Sequence, residues 1–335
     1  MYTIEDVSKL TGLSISIISR YLNGYNVRKE NKKLIDEAIK KTGYTPNEFA
    51  RGLRARHTKS VGVIIPKLTD VFALEVISNL EKELKKEGYG ILVANCMNDR
   101  NNELSCVKTM LQKRVDAIVM LPFGDISGIN AIMSKANVPL IVFDQYFKEL
   151  NADYVLFENK ESAKRACDIL IENGHRNIAI VLGPLTDYTP RQRLKGFRKS
   201  LESNGIPIVD ENIYEAEDYS LESGYKFLND IMKRADKPTA IFSTSCDLTV
   251  GVFKGVYELG LKIPDDISIM AFDSLPLYDL IMPKLWTVVQ PIEEYGKQLA
   301  RQVLTRVVNC VERPYTTYFI GYDIREGQSI KNLKL

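Results

Sequence analysis

The chain opens with a short segment whose apolar residues, Ile4, Val7 and Leu10, recur at helical spacing. Thr3 precedes them as a side-chain N-cap, and an acidic residue follows three positions later, which is the pattern of a capping box. Gly12 then interrupts the periodicity, because glycine readily adopts the left-handed conformation that a tight turn requires. The pattern therefore predicts a helix that ends in a turn.

A second amphipathic segment begins at Ser14, and Ile18, Tyr21 and Leu22 form its inward stripe. Its outward positions are polar: Ser16, Ser19, Arg20 and Asn23. A third helix is expected over about residues 31–41. Its packing residues are expected to be Leu34, Ile35, Ala38 and Ile39. Two helices joined by a glycine turn, the second with a polar outer face, indicate a helix-turn-helix whose second helix suits the DNA major groove.

From Val61 the pattern changes to short apolar strands that alternate with amphipathic helices. Strands are expected at 61–66, 89–95, 116–122, 140–144, 177–183, 212–216, 239–245 and 267–273. Helices are expected at 74–87, 101–113, 160–172, 190–203, 221–233, 248–259 and 292–308. This alternation is typical of parallel, doubly wound sheets. The fold class is therefore α/β, with an all-α helix-turn-helix head and a body of two lobes in succession.

In open α/β sheets, ligands bind beyond the carboxyl ends of the strands, so a cleft between two lobes collects the residues that follow strands. These residues are Phe72, Leu121, Asp144, Glu158, Thr186, Tyr219, Cys246, Asp247 and Asp273. The pattern thus locates a candidate ligand cleft without reference to any known protein.

Charge is distributed unevenly between the head and the body. Residues 1–60 contain 12 Lys and Arg against 6 Asp and Glu, a net charge of +6, whereas the remainder holds 33 against 37, a net charge of −4. A basic head of this kind is what contact with a phosphate backbone requires, although a solvated basic face would give the same count. The imbalance favours nucleic acid as a partner.

Several function classes receive no support from the sequence. No apolar run has the length of a membrane helix and no signal sequence opens the chain, so a cytoplasmic protein is expected. Five scattered cysteines without a CxxC pair predict neither a metal site nor a disulfide framework. No glycine-rich phosphate motif follows the first strand, and no nucleophile–base set is visible. We expect no enzyme, no cofactor and no metal.

Several motifs together resemble the LacI/GalR family of transcriptional regulators. They are TIEDVSKLTGLS, IISRYLNG, GYTPNEFARGLR, VGVIIP, RLKGF, GLKIPDDISIMAFD and PKLWTVVQP, in the order the family has them and over essentially the whole chain. The resemblance implies a helix-turn-helix at 1–45, a hinge helix and linker at 46–60, and a periplasmic-binding-protein-like effector and dimerisation body at 61–335. The first lobe would comprise about 61–158 and 292–320, and the second about 159–291 and 321–335.

Base reading is then expected from the second helix, through Ile15, Ser16 and Arg20. Arg20 can donate two hydrogen bonds to a guanine, and an exposed Ile15 would contact a thymine methyl. Ile17 stands where the family commonly has threonine, and core packing is the alternative for both isoleucines. Phosphate contacts are expected from Ser14 and Ser19, with Asn23 beside them.

The segment 46–56 resembles the hinge helix of the family, although a plain basic linker remains the alternative. It is too short to be stable alone in water, so it should fold only when paired with its dimer mate on DNA. The resemblance makes Leu53 the apolar wedge that kinks a central minor-groove step. The other hinge residues expected at the DNA are Asn47, Arg51 and Arg54.

For the cleft, the resemblance implies that Arg193 holds a ligand hydroxyl or carboxylate and that Asp273 binds ligand hydroxyls. Tyr219 would stack on a ligand ring, and Phe72 would cover it. The remaining effector residues are expected to be Cys246, Asp247, Trp286 and Gln290. An arginine, a carboxylate and a flat aromatic side chain suit a sugar. The alternative is that Arg193 and Asp273 pair with each other across the cleft.

The resulting hypothesis is a homodimeric regulator, most simply a repressor, that binds a palindromic operator of carbohydrate genes under control of a sugar-like effector. Two rivals stay open: a family member controlled by a phosphocarrier protein, and a solute-binding protein that shares the two-lobed body. The identity of the effector, the sign of its effect, the operator, the regulated genes and any assembly beyond a dimer are left open.

Overall fold

The computed structural model describes residues 2–22, 25–44, 57–124, 126–273, 278, 280, 282–308 and 313–334. The chain divides into two compact units, Met1–Lys59 and Ser60–Leu335. Each unit has its own hydrophobic core. Among the described residues, no helix combines the length and the apolar character that crossing a membrane would need.

The first unit contains three helices: α1 (Ile4–Thr11), α2 (Ile15–Leu22) and α3 (Lys29–Thr42). They bury one small cluster, which we call the head core: Val7, Ile18, Ile35 and Ala38. The predicted cap is confirmed, because the Thr3 side chain accepts from the Asp6 backbone while the Asp6 side chain accepts from that of Thr3. Gly12 ends α1 in the left-handed conformation.

Two apolar residues of this unit lie outside the head core. Leu10 is 52% exposed and Leu34 is 44% exposed, although the periodicity predicts that both pack inward. In α3 the buried stripe is formed by Ile35 and Ala38, with Ile39 packed against it, so Leu34 falls on the neighbouring face. The spacing alone could not distinguish these two adjacent faces.

Six parallel strands form the sheet of the first lobe. They are β1 (Ser60–Ile65), β2 (Gly90–Asn95), β3 (Ala117–Met120), β4 (Leu140–Phe143), β5 (Asp153–Phe157) and β11 (Thr317–Ile320). Their order across the sheet is β11-β5-β4-β3-β1-β2. Strand β5, which the sequence pattern left out, lies between β11 at the edge and β4 and is buried along its whole length.

The second lobe has a sheet of six strands. They are β6 (Ile178–Leu182), β7 (Ile213–Glu215), β8 (Ala240–Ser243), β9 (Ser268–Phe272), β10 (Trp286–Val289) and β12 (Asp323–Arg325). Their order is β12-β10-β9-β8-β6-β7, with β12 antiparallel to β10 and the others parallel. Two doubly wound sheets in succession confirm the predicted fold class.

Helices cover both faces of the sheets. They are α4 (Val71–Lys86), α5 (Arg100–Gln112), α6 (Ser127–Met133), α7 (Asn159–Glu172), α8 (Tyr188–Ser203), α9 (Leu221–Met232), α10 (Cys246–Glu258) and α11 (Ile292–Val307). The chain returns to the first lobe through α11 and β11 and ends in the second lobe with β12. The lobes therefore exchange segments.

Candidate functional site

The second helix of the head presents a polar side and an apolar side. Ser14, Ser16 and Arg20 are exposed, and the hydroxyl oxygens of Ser14 and Ser16 lie 3.0 Å apart. On the opposite side Ile18 is fully buried in the head core, and the Tyr21 hydroxyl donates a hydrogen bond to Asp36 of α3. This anchoring fixes the rotation of α2, so that its serine and arginine side chains face solvent.

The two isoleucines at the start of α2 have different surroundings. Ile17 is partly buried and packs against the head core, which favours core packing, the alternative to its expected contact with DNA. The helix rotation that buries Ile18 also brings its neighbour onto the edge of the core. Ile15 is partly buried but, among the described residues of the head, does not belong to that core. Of the two, Ile15 is the one that lies outside the head core, and its contact with a base stays a prediction.

Replacing each isoleucine by alanine should separate these roles. The Ile17→Ala change should lower the free energy of unfolding of the head by about 1–2 kcal/mol. A fully buried isoleucine would lose about 2–5 kcal/mol, and Ile17 is only partly buried. The Ile15→Ala change should leave the melting temperature of the head nearly unchanged. Thermal unfolding followed by circular dichroism measures both effects, and a larger loss from Ile15→Ala would reverse the assignment.

Several expected DNA contacts lie outside the described residues. These are Asn23 in the head and Asn47, Arg51, Leu53 and Arg54 in the segment expected to form the hinge. They remain predictions from the sequence.

The body contains a cavity of about 210 Å³ that is lined by residues of both lobes. Its lining comes from Val71, Phe72, Glu75, Cys246, Asp273, Val289, Gln290, Ile292 and Arg325. Four predicted effector residues are in this set: Phe72, Cys246, Asp273 and Gln290. They come from the start of α4, the start of α10, the end of β9 and the end of β10, which is where open α/β sheets place ligands.

Arg193 lies in α8 and is 5% exposed. Its Nε donates to Asn159 Oδ1 at 2.8 Å, and its Nη1 donates to the backbone carbonyl of Thr244. The guanidinium carbon is 3.6 Å from the centre of the Phe272 ring, so the planar group stacks on an aromatic face. These three contacts hold a permanent positive charge at one orientation beside the cleft.

Two aspartates of opposite lobes lie within electrostatic reach of this guanidinium. Asp144 follows β4 and Asp273 follows β9, and both have a positive φ, of 61° and 68° respectively. Burial raises the pKa of Asp144 to about 6 against the opposing effect of Arg193. Burial also raises the pKa of Asp273, again opposed by Arg193. No ion pair between described residues joins Arg193 to Asp273, so the alternative of a direct pair across the cleft is not observed.

Some buried polar atoms near this cleft have no hydrogen-bond partner. Among the described residues, Asp144 Oδ1, Gln290 Oε1 and the Tyr295 hydroxyl are buried without a hydrogen-bond partner. Gln290 uses its amide nitrogen to donate to Asp273, which leaves its oxygen as the free acceptor. Tyr295 packs edge-on against Phe72, with ring centres 5.6 Å apart. Buried polar groups normally have partners, so these atoms point to a ligand that supplies them.

Among the ion pairs observed between described residues, one joins the two lobes at the cleft. Lys67 follows β1 in the first lobe, and Asp247 lies at the start of α10 in the second lobe. The Lys67 Nζ atom is 3.4 Å from Asp247 Oδ2. Asp247 is about half exposed, so this contact is screened by solvent and contributes little to stability. Asp247 is therefore placed at the mouth of the cleft, and Cys246 lies further in.

Two of the predicted effector residues have other surroundings in the structure. Tyr219 donates its hydroxyl to Asp187 at 2.9 Å, and its ring lies on Gly183, where an added Cβ would be 2.2 Å from the ring. Trp286 is the first residue of β10, whereas Gln290 follows the carboxyl end of that strand. The Trp286 indole packs against the largest cluster of buried apolar residues in the body. Trp286 is not among the residues that line the cavity, and its expected role at the cleft stays a prediction.

Several polar groups at or beside the cavity are not predicted from the sequence. Glu75 and Arg325 line it, Tyr295 of α11 packs against the lining residue Phe72, and Asp70 caps α4 by accepting from the Ala73 backbone at 3.1 Å. Asp70 had a visible signal, since an aspartate just before an amphipathic helix is a common N-cap. The others come from segments that are distant in sequence from the strands they meet.

Comparison with known proteins extends these observations. A model described as "Periplasmic binding protein-like domain" matches residues 167–330, and one described as "Bacterial regulatory proteins, lacI family" matches residues 3–47. Catabolite control protein A of Priestia megaterium is 32% identical over 309 residues, which cover 92% of each chain. The ribose operon repressor of Haemophilus influenzae is 30% identical over 335 residues, which cover 100% of each chain.

A solved structure agrees with the fold. The structure of a LacI family transcriptional regulator from Enterococcus faecium with bound ribose superimposes with a TM-score of 0.72 at 25% identity, covering 82% of this chain and 99% of that one. The head, the two-lobed body and relatives matched over nearly their full length lead to one assignment. The chain belongs to the lacI family of bacterial regulatory proteins.

Proposed function

We propose that this protein is a transcriptional repressor that binds a palindromic operator as a homodimer and responds to a sugar-like effector in the cleft of its body. The polar, solvent-facing side of α2 in a basic head carries the DNA-binding part of the proposal. Two relatives at 30% identity or more support the regulatory part, one being named a ribose operon repressor.

The chemistry of the cleft supports a polyhydroxylated effector. A ligand with several hydroxyl groups can donate to Asp144 and Gln290 and accept from or donate to Tyr295, the groups left without partners. The regulator from Enterococcus faecium that binds ribose has the same fold over 82% of this chain. Effector binding would change operator occupancy through a coupling free energy, for which about 1–3 kcal/mol is typical.

The head argues against a solute-binding protein, because its residues 3–47 match the DNA-binding family. The unpartnered polar atoms near the cleft favour a small molecule over control by a phosphocarrier protein alone. A homodimer is the simplest assembly that reads two halves of a palindrome.

Selection of duplexes from a random library, followed by fluorescence anisotropy, tests the DNA-binding part. The full-length protein should enrich an inverted repeat, and Arg20→Ala should weaken binding to it by about 5- to 150-fold, the equivalent of about 1–3 kcal/mol for a guanine contact. Arg165→Ala is the matched control, because Arg165 is a half-exposed arginine of the body paired with Glu172. A protein that prefers no duplex over random sequence at low salt contradicts the proposal.

A further inference from the structure

The cleft has more acidic than basic groups near it. Asp70, Asp144 and Asp273 lie within electrostatic reach of one another, and Asp247 lies at the mouth. Against these four carboxylates stand two cations, Lys67 and Arg193. The other two charged lining residues, Glu75 and Arg325, have opposite signs. The groups described at this site therefore leave an excess of negative charge when all are ionised.

Both cations already have protein partners. Lys67 pairs with Asp247 at 3.4 Å. Arg193 donates to Asn159 and Thr244 and stacks on Phe272, and its charge offsets those of Asp144 and Asp273. A phosphate group in the cleft would have to compete with these carboxylates for the same positive charges.

Two helix N-termini near the cleft already have protein acceptors. Backbone N–H groups at a helix N-terminus are a common phosphate site. At α4 the Asp70 side chain already accepts from the Ala73 backbone at 3.1 Å. At α8 the Gln145 side chain accepts from the Tyr188 backbone at 3.0 Å. At these two helices, protein acceptors stand where a ligand phosphate would be expected to bind.

The unpartnered atoms point to the opposite kind of ligand group. Asp144 Oδ1 and Gln290 Oε1 are acceptors, and Gln290 is only 6% exposed and lines the cavity. An ionised phosphate or carboxylate offers acceptors only, whereas a hydroxyl or an ammonium group donates hydrogen bonds. The unpartnered acceptor atoms of the site would therefore be satisfied by a ligand that donates hydrogen bonds.

We infer that the effector is a sugar with free hydroxyl or amino groups and no anionic group, and that Asp144 is the residue that excludes phosphorylated sugars. This inference rests on the proposed function, and it narrows the class of sugar that the cleft accepts. Asp144 has this role because its carboxylate combines negative charge, burial and an unpartnered acceptor.

The test compares matched sugars on the full-length protein by isothermal titration calorimetry at pH 7.5. One set is glucose, glucosamine and glucose 6-phosphate, and a second set is ribose and ribose 5-phosphate. Other free pentoses and hexoses are titrated beside them. A free or amino sugar should bind at least tenfold more tightly than its phosphate. Asp144→Asn keeps the shape of the side chain and its acceptor oxygen. It should reduce the ratio of the two dissociation constants, that of the phosphate over that of the free sugar, at least tenfold.

Asp230→Asn is the matched control, because Asp230 is half exposed on α9 and pairs only with Lys233 at the surface among the contacts observed for it. It changes the net charge equally and should leave the ratio unchanged. Tighter binding of a phosphorylated sugar by the wild-type protein overturns the inference and leaves the proposed function in place. An unchanged ratio in Asp144→Asn overturns the role of Asp144, and no response to any sugar overturns the proposed effector class together with this inference.

Discussion

Arg193→Ala is expected to lower the free energy of unfolding of the body by about 3–5 kcal/mol and to abolish its response to effector. Removing one partner of a buried charge cluster leaves the others uncompensated, which is the reason for this magnitude. Arg193 is 5% exposed, and its charge opposes the rise in pKa that burial imposes on Asp144 and Asp273. Without it, both pKa values should rise further. Denaturant unfolding followed by fluorescence measures the loss.

Arg198→Ala on the same helix is the matched control for this variant. Arg198 is exposed and lies 3.4 Å from the largely exposed Asp210, a geometry worth at most about 1 kcal/mol. Each variant replaces one arginine of α8 by alanine. A difference between their losses of unfolding free energy therefore reflects burial and stacking rather than helix propensity. Equal losses from both would mean that the buried contacts of Arg193 do not stabilise the body.

Gly251→Ala is expected to destabilise the second lobe by about 3 kcal/mol or more. Helices α9 and α10 cross so closely that a Cβ at Gly251 would lie 2.0 Å from the Leu221 carbonyl oxygen and 2.7 Å from the Tyr225 backbone nitrogen. Both contacts are with backbone, which cannot rotate away, so the helices must separate. The start of α10 carries Cys246 and Asp247, so this change should also weaken effector binding. Calorimetric melting and effector titration measure the two effects.

Gly90→Ala is the control for a glycine whose Cβ would meet nothing within 4 Å. It lies at the exposed start of β2, and alanine there should change the melting temperature by less than 1 °C or raise it slightly, because alanine reduces the entropy of the unfolded chain. A melting temperature that falls as much in Gly90→Ala as in Gly251→Ala would contradict the argument from helix crossing.

The architecture could be predicted because it follows from periodicity. The change from a helical repeat in the head to alternating strands and helices after Val61 predicts both units. The alternation also predicts the two sheets, and the residues after strands include Phe72, Cys246 and Asp273 of the cavity lining. These positions are predictable because open parallel sheets bind ligands at one edge.

Other features depended on contacts between residues distant in sequence. Ile17 and Ile15 are identical side chains two positions apart, and only the packing of the three head helices places Ile17 against the core. The family resemblance implies that Trp286 lies at the cleft, whereas in the structure Trp286 begins β10 and Gln290, after the end of that strand, lines the cavity. Tyr295 packs against the lining residue Phe72 only because α11 returns to the first lobe.

The sequence by itself determined the family, the α/β class, the helix-turn-helix and the set of strand ends from which the cleft is built. Those properties arise from local periodicity and short motifs, which one chain segment carries alone. Only the tertiary structure decided which polar atoms of the cleft remain without partners and which charges offset one another. Hydrogen bonding and burial depend on the distances between segments, and these distances exist only after the lobes have folded.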